Sequence, residues 1–184
     1  MHVKQNHWLS RVRNLRSPNR SKRPDPMDVA LIVIHGISLP KGEFATGCVD
    51  RLFLNQLDVT SHGSFADLDG VRVSSHLLID RVGRTTQYVP FDEQAWHAGD
   101  SSWRNRVRCN AFAIGIELEG TDDQPYADRQ YSTLAKVTRA LFEMYPRLSP
   151  DAIVGHQEVA PGRKTDPGPA FDWSRYLLKI AGPT

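Results

Sequence analysis

The chain has 184 residues, of which 40% are hydrophobic and 24% are charged. This length suits one domain with a buried core, so we treat residues 1–184 as a single domain, and the composition excludes a disordered or collagen-like chain. No stretch approaches the roughly 18–20 consecutive apolar residues of a membrane span, and the first residues lack the apolar segment of a secretion signal. Cys48 and Cys109 form no CxxC motif, which favours free thiols in a reducing compartment. We therefore expect a soluble, cytoplasmic protein.

The formal net charge of +2 hides a strongly basic N-terminal segment. Residues 1–23 contain seven lysines and arginines and no acidic residue, so we distinguish a basic arm (residues 1–26) from a core (residues 27–184). Apolar residues of the arm recur at helical spacing, which predicts a short amphipathic helix. These residues are Trp8, Leu9, Val12 and Leu15. The arm can pack on the domain, lie on an anionic membrane or bind nucleic acid, and its composition also resembles that of a mitochondrial transit peptide. Packing on the domain is the interpretation we favour.

The first predicted element of the core is a strand over residues 29–34, with His35 at its end. Its uninterrupted apolar run is typical of a strand buried on both faces. Apolar positions at helical spacing predict a helix within residues 44–57, and the polar, Gly-containing stretch 61–70 predicts a loop.

Three strands are predicted in the middle of the chain. Residues 71–79 and 85–89 flank a turn and form a predicted hairpin. Residues 113–119 alternate, with isoleucine and leucine on one face and Glu117 and Glu119 on the other, because side chains alternate along a strand.

Two helices and a short strand complete the pattern. Residues 128–145 carry one apolar stripe and predict a helix that Pro146 ends. Residues 152–154 predict a short strand that leads to His156, and Asp172 can cap a last helix. The order of these elements predicts an α/β (α+β) fold with a central mixed β-sheet flanked by α-helices.

Three side chains in this pattern are candidate metal ligands. His35 and His156 follow predicted strands, and Asp166 lies in a stiff loop rich in proline and glycine. Two imidazoles and one carboxylate would bind zinc and leave the fourth position to water, as in catalytic sites. The alternative is that the two histidines are only hydrogen-bonded, and the spacing alone does not decide between these possibilities.

Two further residues are candidates for catalysis. Glu117 places a carboxylate in an otherwise apolar strand, and a buried carboxylate needs a partner or a chemical role. The alternative is an exposed sheet face, which Glu119 fits equally well. Lys164 can be catalytic or simply a solvated loop lysine.

Seven segments in order, within a match that runs from about residue 7 to residue 177, resemble the AmpD family of bacterial 1,6-anhydro-N-acetylmuramyl-L-alanine amidases. The segments are LIVIHGISLP (31–40), VSSH (73–76), AWHAG (95–99), RCN (108–110), IGIELEGTD (114–122), GH (155–156) and RKTDPGPAFDW (163–173). Each segment alone is weak evidence, but their combination is specific. The resemblance implies the fold of the N-acetylmuramoyl-L-alanine amidases, which peptidoglycan recognition proteins share.

The resemblance also implies roles for individual residues. It implies one Zn²⁺ per chain held by His35, His156 and Asp166, with Glu117 as the catalytic glutamate and Lys164 as the catalytic lysine. It implies a substrate-binding group as well, in which the two arginines hold carboxylates of the stem peptide. This group contains Arg72, Arg108, Gly36 and His97.

Three details of this group stay open. For the arginines, the alternative is a surface ion pair. The family usually has Asn where this chain has Gly36, so we expect a lost hydrogen bond to the sugar or lactyl group. His97 is expected to line the cleft without binding the metal.

The resemblance therefore implies a zinc hydrolase of muropeptide recycling, in which Glu117 takes a proton from water and Lys164 stabilises the negative charge of the transition state. Residues 57–70 and 100–108 are expected to select the anhydro sugar. The alternatives are a noncatalytic muropeptide-binding module and, because of the basic arm, a nucleic-acid-binding protein. We expect an anhydromuropeptide substrate, no nucleic-acid partner and a monomer, and we expect deletion of residues 1–23 to leave activity largely intact.

Overall fold

The computed structural model describes residues 1–182. The helices are α1 (Cys48–Phe53), α2 (Asp128–Met144), α3 (His156–Val159) and α4 (Trp173–Ala181). The strands are β1 (Arg13–Asn14), β2 (Arg20–Lys22), β3 (Leu31–Ile37), β4 (Leu77–Ile79), β5 (Thr85–Gln87), β6 (Glu93–Ala95), β7 (Ser102–Trp103), β8 (Arg106–Val107), β9 (Ala113–Glu119) and β10 (Ile153–Gly155).

Six strands form one mixed sheet in the order β1-β5-β4-β9-β3-β10. Strands β4 and β5 pair antiparallel, as predicted for a hairpin, and the other neighbours pair parallel. The predicted central mixed sheet with flanking helices is therefore confirmed.

The centre of the sheet is the pair β3 and β9, which are in register over seven residues. Strand β9 has the predicted bounds, and all seven of its residues are buried, so the alternative that its glutamates lie on an exposed sheet face is not what is observed. It lies between β3 and β4, and packed segments cover both of its faces. Glu117 and Glu119 are consequently buried carboxylates.

The two faces of the sheet have different coverings. Alternate residues of β3 and β9, including Ile34 and Ile116, pack with α2 and α4 in the main hydrophobic core. The residues between them face the other way, because successive side chains of a strand point to opposite faces. That second face packs against α3 near Val33 and against α1 near Leu78, and it carries His35 and Glu117 as a cross-strand pair.

The N-terminal arm packs on the domain in an extended form, so the predicted amphipathic helix is wrong. Strand β1 pairs with β5 as the outermost strand of the sheet, and β2 pairs with β6. Leu9 is fully buried, and its backbone N–H donates to Gln87 Oε1 at 2.6 Å. The unpaired edge of β5 offers the arm more hydrogen bonds than a short isolated helix retains in water.

Much of the arm's positive charge is engaged within the domain. Arg13 forms an ion pair with Asp50, and Arg16 and Arg20 both pair with Glu93. Arg23 is buried, where it donates to the backbone oxygens of residues 91, 110 and 113. Burial lowers the pKa of this guanidinium to about 10, so it stays charged at neutral pH. Fewer positive charges of the arm are thus available to bind phosphate groups than the sequence indicates.

The remaining predictions differ from the structure mainly at their ends. Strand β3 continues through His35, so that residue lies within the strand rather than after it. The strand predicted from residue 71 begins only at Leu77, and the predicted loop contains a 3-10 helix, Gly63–Leu68. Asp172 caps α4 as predicted, because its side chain accepts from the Arg175 N–H at 2.9 Å. Within residues 1–182, no helix is both long and apolar enough to cross a membrane.

Candidate active site

The sheet brings together the three predicted metal ligands. His35 lies on β3, and His156 begins α3 directly after β10, which pairs with β3. Asp166 lies in the loop after α3, and its backbone oxygen accepts from the Gln157 N–H at 3.1 Å. The strand pairing fixes the two histidines, and this backbone contact holds the loop beside them.

The ligand atoms of these residues converge closely. The two Nδ1 atoms of His35 and His156 are 3.0 Å apart, and each lies 3.1 Å from Asp166 Oδ2. Both imidazoles are almost completely buried, whereas Asp166 is partly exposed. Ligands about 2.1 Å from a tetrahedral zinc ion lie about 3.4 Å from one another, so the cluster has nearly the right size.

The hydrogen bonds of the two rings favour free lone pairs at this point. His156 Nε2 faces the backbone oxygen of Ala98 at 3.3 Å, so the proton belongs on Nε2 and Nδ1 carries a lone pair. His35 Nε2 also has a partner, His97 Nδ1 at 2.9 Å. Two imidazole lone pairs and a carboxylate at one point repel each other, and a bound cation removes that repulsion.

The protonation states agree with a metal site. Burial lowers the pKa of His35 to about 4, against the opposing effect of the nearby Asp166 carboxylate, so the ring is neutral at pH 7. Burial raises the pKa of Asp166, but the effect of the His156 and His35 imidazoles, 3.1 Å from its Oδ2, outweighs it and holds that pKa well below its usual range. Neutral imidazoles and an ionised carboxylate are the forms that bind zinc.

Glu117 lies beside this cluster without joining it. Its Oε1 is 4.0 Å from His35 Nδ1, and its Oε2 is buried without a hydrogen-bond partner among residues 1–182. Burial, and then the charge of Asp166, raise the pKa of Glu117 well above its usual value, while Lys164 lowers it. A carboxyl group with a raised pKa near a metal site is suited to accept and return a proton.

Lys164 is exposed on the loop that carries Asp166. Its positive charge lowers the pKa values of both His35 and Glu117, so it lies close enough to act on the site. An exposed ammonium on this loop can contact an oxygen of a bound substrate.

The predicted arginines are exposed, and neither forms an ion pair within residues 1–182. Arg72 has one long hydrogen bond, to the backbone oxygen of Val71 at 3.4 Å. Arg108 has a left-handed backbone with φ of 61°, and its N–H donates to the Ser101 oxygen at 2.8 Å. Within residues 1–182, neither arginine therefore forms the surface ion pair that was the alternative. Binding of substrate carboxylates by Arg72 and Arg108 stays a prediction.

Gly36 has a structural role that the sequence does not reveal. It follows His35 on β3 and faces the opposite side of the sheet, where a Cβ atom would overlap the hydroxyl of Tyr126. That hydroxyl donates to the backbone oxygen of Pro167 at 2.9 Å and so supports the loop that carries Asp166. The side chain of an Asn at this position would collide with Tyr126. Because Gly36 has no side chain, any contact with substrate would involve its backbone, and that contact stays a prediction.

Gly36→Asn is accordingly expected to destabilise the protein by about 1–3 kcal/mol, because the new side chain displaces Tyr126 from a packed position. Urea unfolding measures the loss, and adding Tyr126→Phe should recover part of it. Gly63→Asn is the matched control, since a Cβ at Gly63 meets nothing within 4 Å. Equal stability of Gly36→Asn and the parent protein would contradict this account.

Several residues that support the site escape sequence analysis. Three of them contact the backbone of distant segments: Tyr126, Asn110 and Arg23. Of these three, only Asn110 lies in one of the segments that resemble the family. His97 was expected in the cleft, but its contact with His35 joins residues 62 positions apart in the sequence. No local spacing indicates such a contact.

Comparison with known proteins identifies the family of this chain. Residues 25–169 match the N-acetylmuramoyl-L-alanine amidase family. The Escherichia coli 1,6-anhydro-N-acetylmuramyl-L-alanine amidase AmpD is 50% identical over 177 residues, which cover 96% of each chain. The crystal structure of a selenomethionine AmpD derivative matches with a TM-score of 0.94 at 49% identity and covers 98% of this chain and 99% of that one.

A further solved structure contains a ligand. The complex of E. coli AmiD with its substrate anhydro-N-acetylmuramic acid-L-Ala-D-γ-Glu-L-Lys matches with a TM-score of 0.62 at 32% identity. The match covers 83% of this chain and 57% of that one. Because the family match takes in most of the chain and the identity to AmpD extends over nearly all of it, the protein belongs to the N-acetylmuramoyl-L-alanine amidase family.

Proposed function

We propose that this protein is a zinc-dependent hydrolase of muropeptide recycling. It cleaves the amide between the lactyl group of 1,6-anhydro-N-acetylmuramic acid and the L-alanine of the stem peptide. The observation that carries the proposal is the convergence of His35, His156 and Asp166 within hydrogen-bond distance of one another, with the buried carboxyl group of Glu117 beside them. The activity named for the E. coli relative supports the choice of substrate.

His35, His156 and Asp166 would hold one zinc ion per chain. Three protein ligands leave a coordination position for water or substrate, which is the pattern of catalytic zinc sites. When bound there, zinc supplies Lewis-acid chemistry, polarising the amide carbonyl and making a water molecule more acidic.

Glu117 is the proton carrier of this proposal. It takes a proton from the attacking water and returns it to the nitrogen of the departing alanine. Its buried Oε2, which has no hydrogen-bond partner in the described residues, can receive that proton, and its raised pKa makes the protonated form accessible near neutral pH.

Lys164 stabilises the negative charge that develops on the carbonyl oxygen. Its ammonium already acts on Glu117 and His35 through space, and its exposure leaves it free to turn towards a substrate. Arg72 and Arg108, both exposed and unpaired within residues 1–182, bind the carboxylates of the stem peptide as bidentate donors.

We further infer that the enzyme acts as a monomer in the cytoplasm. Residues 57–70 and 100–108 select the anhydro sugar. These two segments lie outside the paired strands of the main sheet, so their sequence can vary without moving the metal ligands.

The test is cleavage of purified anhydromuramyl peptide, followed by mass spectrometry. The protein is assayed as prepared, after treatment with a chelator, and after zinc is added back. The free anhydro sugar and the free stem peptide are expected only when metal is present. Binding of the ligand without cleavage would overturn the proposal in favour of a noncatalytic muropeptide-binding module.

A further inference from the structure

His97 lies against the side of the His35 ring that faces away from the metal ligands. The two rings are nearly perpendicular, with centroids 5.0 Å apart and His97 Nδ1 2.9 Å from His35 Nε2. Within residues 1–182, His97 is the one hydrogen-bond partner of this nitrogen. The proton between these two nitrogens therefore decides which tautomer His35 adopts.

We propose that His97 is a positioning residue that fixes the tautomer and the orientation of His35. His35 can present a lone pair on Nδ1 to the metal only when its proton is on Nε2. That proton needs an acceptor, and His97 Nδ1 provides it. The inference rests on the metal centre proposed above and concerns how this chain prepares one of its ligands.

The fold holds His97 tightly in this place. A Cβ at Gly115 would overlap the His97 ring, so the missing side chain on β9 creates the space in which the ring lies. Asn110 Oδ1 accepts from the N–H of His97 at 3.2 Å and from the N–H of Ala98 at 2.8 Å, which fixes the backbone on both sides of the residue. The ring cannot turn away from His35 without meeting strand β9.

One cost of the arrangement supports a positioning role. When His97 Nδ1 accepts a hydrogen bond from His35, the proton of His97 itself must be on Nε2, and this buried atom has no hydrogen-bond partner in the described part of the chain. An unsatisfied buried polar atom reduces stability, and such atoms persist where another requirement holds the side chain. We identify that requirement as the hydrogen bond to His35.

The experiment compares His97→Asn with His97→Leu, two side chains of nearly the same shape. Asn keeps an acceptor oxygen close to the position of Nδ1, whereas Leu removes the acceptor without leaving a cavity. His62→Ala, at the exposed residue that precedes the 3-10 helix, is the control for loss of a histidine. Affinity for Zn²⁺ is measured by competition with a coloured chelator, and metal-free unfolding shows that each variant is folded.

His97→Leu should bind Zn²⁺ about 10–100-fold more weakly than the parent, the usual effect of removing a hydrogen bond to a metal-bound histidine. His97→Asn and His62→Ala should stay close to the parent value. In ¹⁵N spectra of the histidine rings, the His35 Nε2 proton should be visible in the parent and in His97→Asn and exchange rapidly in His97→Leu.

Equal Zn²⁺ affinity of the Leu and Asn variants, with the parent itself binding, would overturn the inference. If His97→Leu does not fold, an Asn variant that binds Zn²⁺ as weakly as a His35→Ala variant would overturn it as well. A parent protein that binds no Zn²⁺ would instead refute the proposed metal centre, so the two failures are distinguishable.

Discussion

Replacing Glu117 with Gln is expected to lower kcat by about 10²–10⁴-fold while zinc stays bound. The amide cannot take a proton from water, and general base catalysis contributes rate factors of this size. Glu117 lies 4.0 Å from His35 Nδ1, outside the cluster of three ligand atoms, so its replacement leaves the metal ligands in place. Steady-state kinetics on the anhydromuramyl peptide, together with metal analysis of the same sample, measure both effects.

Asp166→Ala provides the contrast, because it removes one of the three ligands and should lose zinc and turnover together. Full turnover by Glu117→Gln with zinc bound would remove Glu117 from its assigned role. Loss of zinc from Glu117→Gln would show that this carboxylate is a ligand rather than the proton carrier.

The stability of the metal-free Glu117→Gln variant gives an independent measure of the same carboxyl group. The pKa of Glu117 is raised in the folded state, so below the unfolded pKa of about 4.3 both states hold the proton. As the pH rises, the unfolded chain releases this proton first, and the folded parent loses stability. Gln does not titrate, so the variant should be more stable than the parent at pH 7–8, with the difference shrinking towards pH 4 in urea unfolding.

Deleting residues 1–23 is expected to destabilise the protein by more than about 3 kcal/mol and to abolish activity through unfolding. The deletion removes fully buried Leu9, whose burial alone is worth about 1.5–3 kcal/mol, and it exposes the edge of β5. It also removes buried Arg23, which leaves three backbone oxygens without their donor. The structure thus leads us to expect the opposite of the expectation from the sequence, in which the deletion leaves activity largely intact.

Two point variants separate the contributions of the arm. Leu9→Ala and Arg23→Met should each lower the free energy of unfolding by about 2–4 kcal/mol. Lys4→Ala, which changes an exposed residue of the same arm, should have little effect. A truncated protein with the unfolding midpoint of the full chain would show that the arm is dispensable.

The elements predicted best are those whose signal is local. Helix α2 was predicted within one residue, because an apolar stripe that ends at a proline needs only neighbouring residues to be recognised. The bounds of β9 were also correct. Whether its glutamates are buried was left open, since burial depends on which strands lie on each side, and a single sequence does not contain that information.

The N-terminal arm shows the opposite case. The spacing of its apolar residues fits a helix, yet Leu9 contacts Gln87, far along the chain. A short segment has weak intrinsic preferences, so the free edge of a sheet can override them. The error therefore concerns tertiary pairing rather than the pattern itself.

In the candidate site, too, the sequence indicates individual residues but not the contacts between distant ones. Residue types and the family resemblance single out His35, His156, Asp166 and Glu117, and the structure brings these four together. The contacts of Tyr126 with Pro167 and of His97 with His35 were not predicted, because each joins residues more than 40 positions apart. Both depend on a glycine that leaves space for a ring on a neighbouring segment, at Gly36 and at Gly115.

The cross-strand pairing of His35 with Glu117 has a consequence for how such an enzyme can diversify. Registry between β3 and β9 changes only in whole residues, and a shift of one residue would turn every side chain to the opposite face. Sequence changes therefore cannot adjust the distance between these two side chains in small steps, whereas insertions in residues 57–70 or 100–108 leave that distance unchanged. Descendants of this scaffold should inherit their chemistry and differ in the muropeptides they accept, and a library randomised in those two segments alone should yield new substrate ranges.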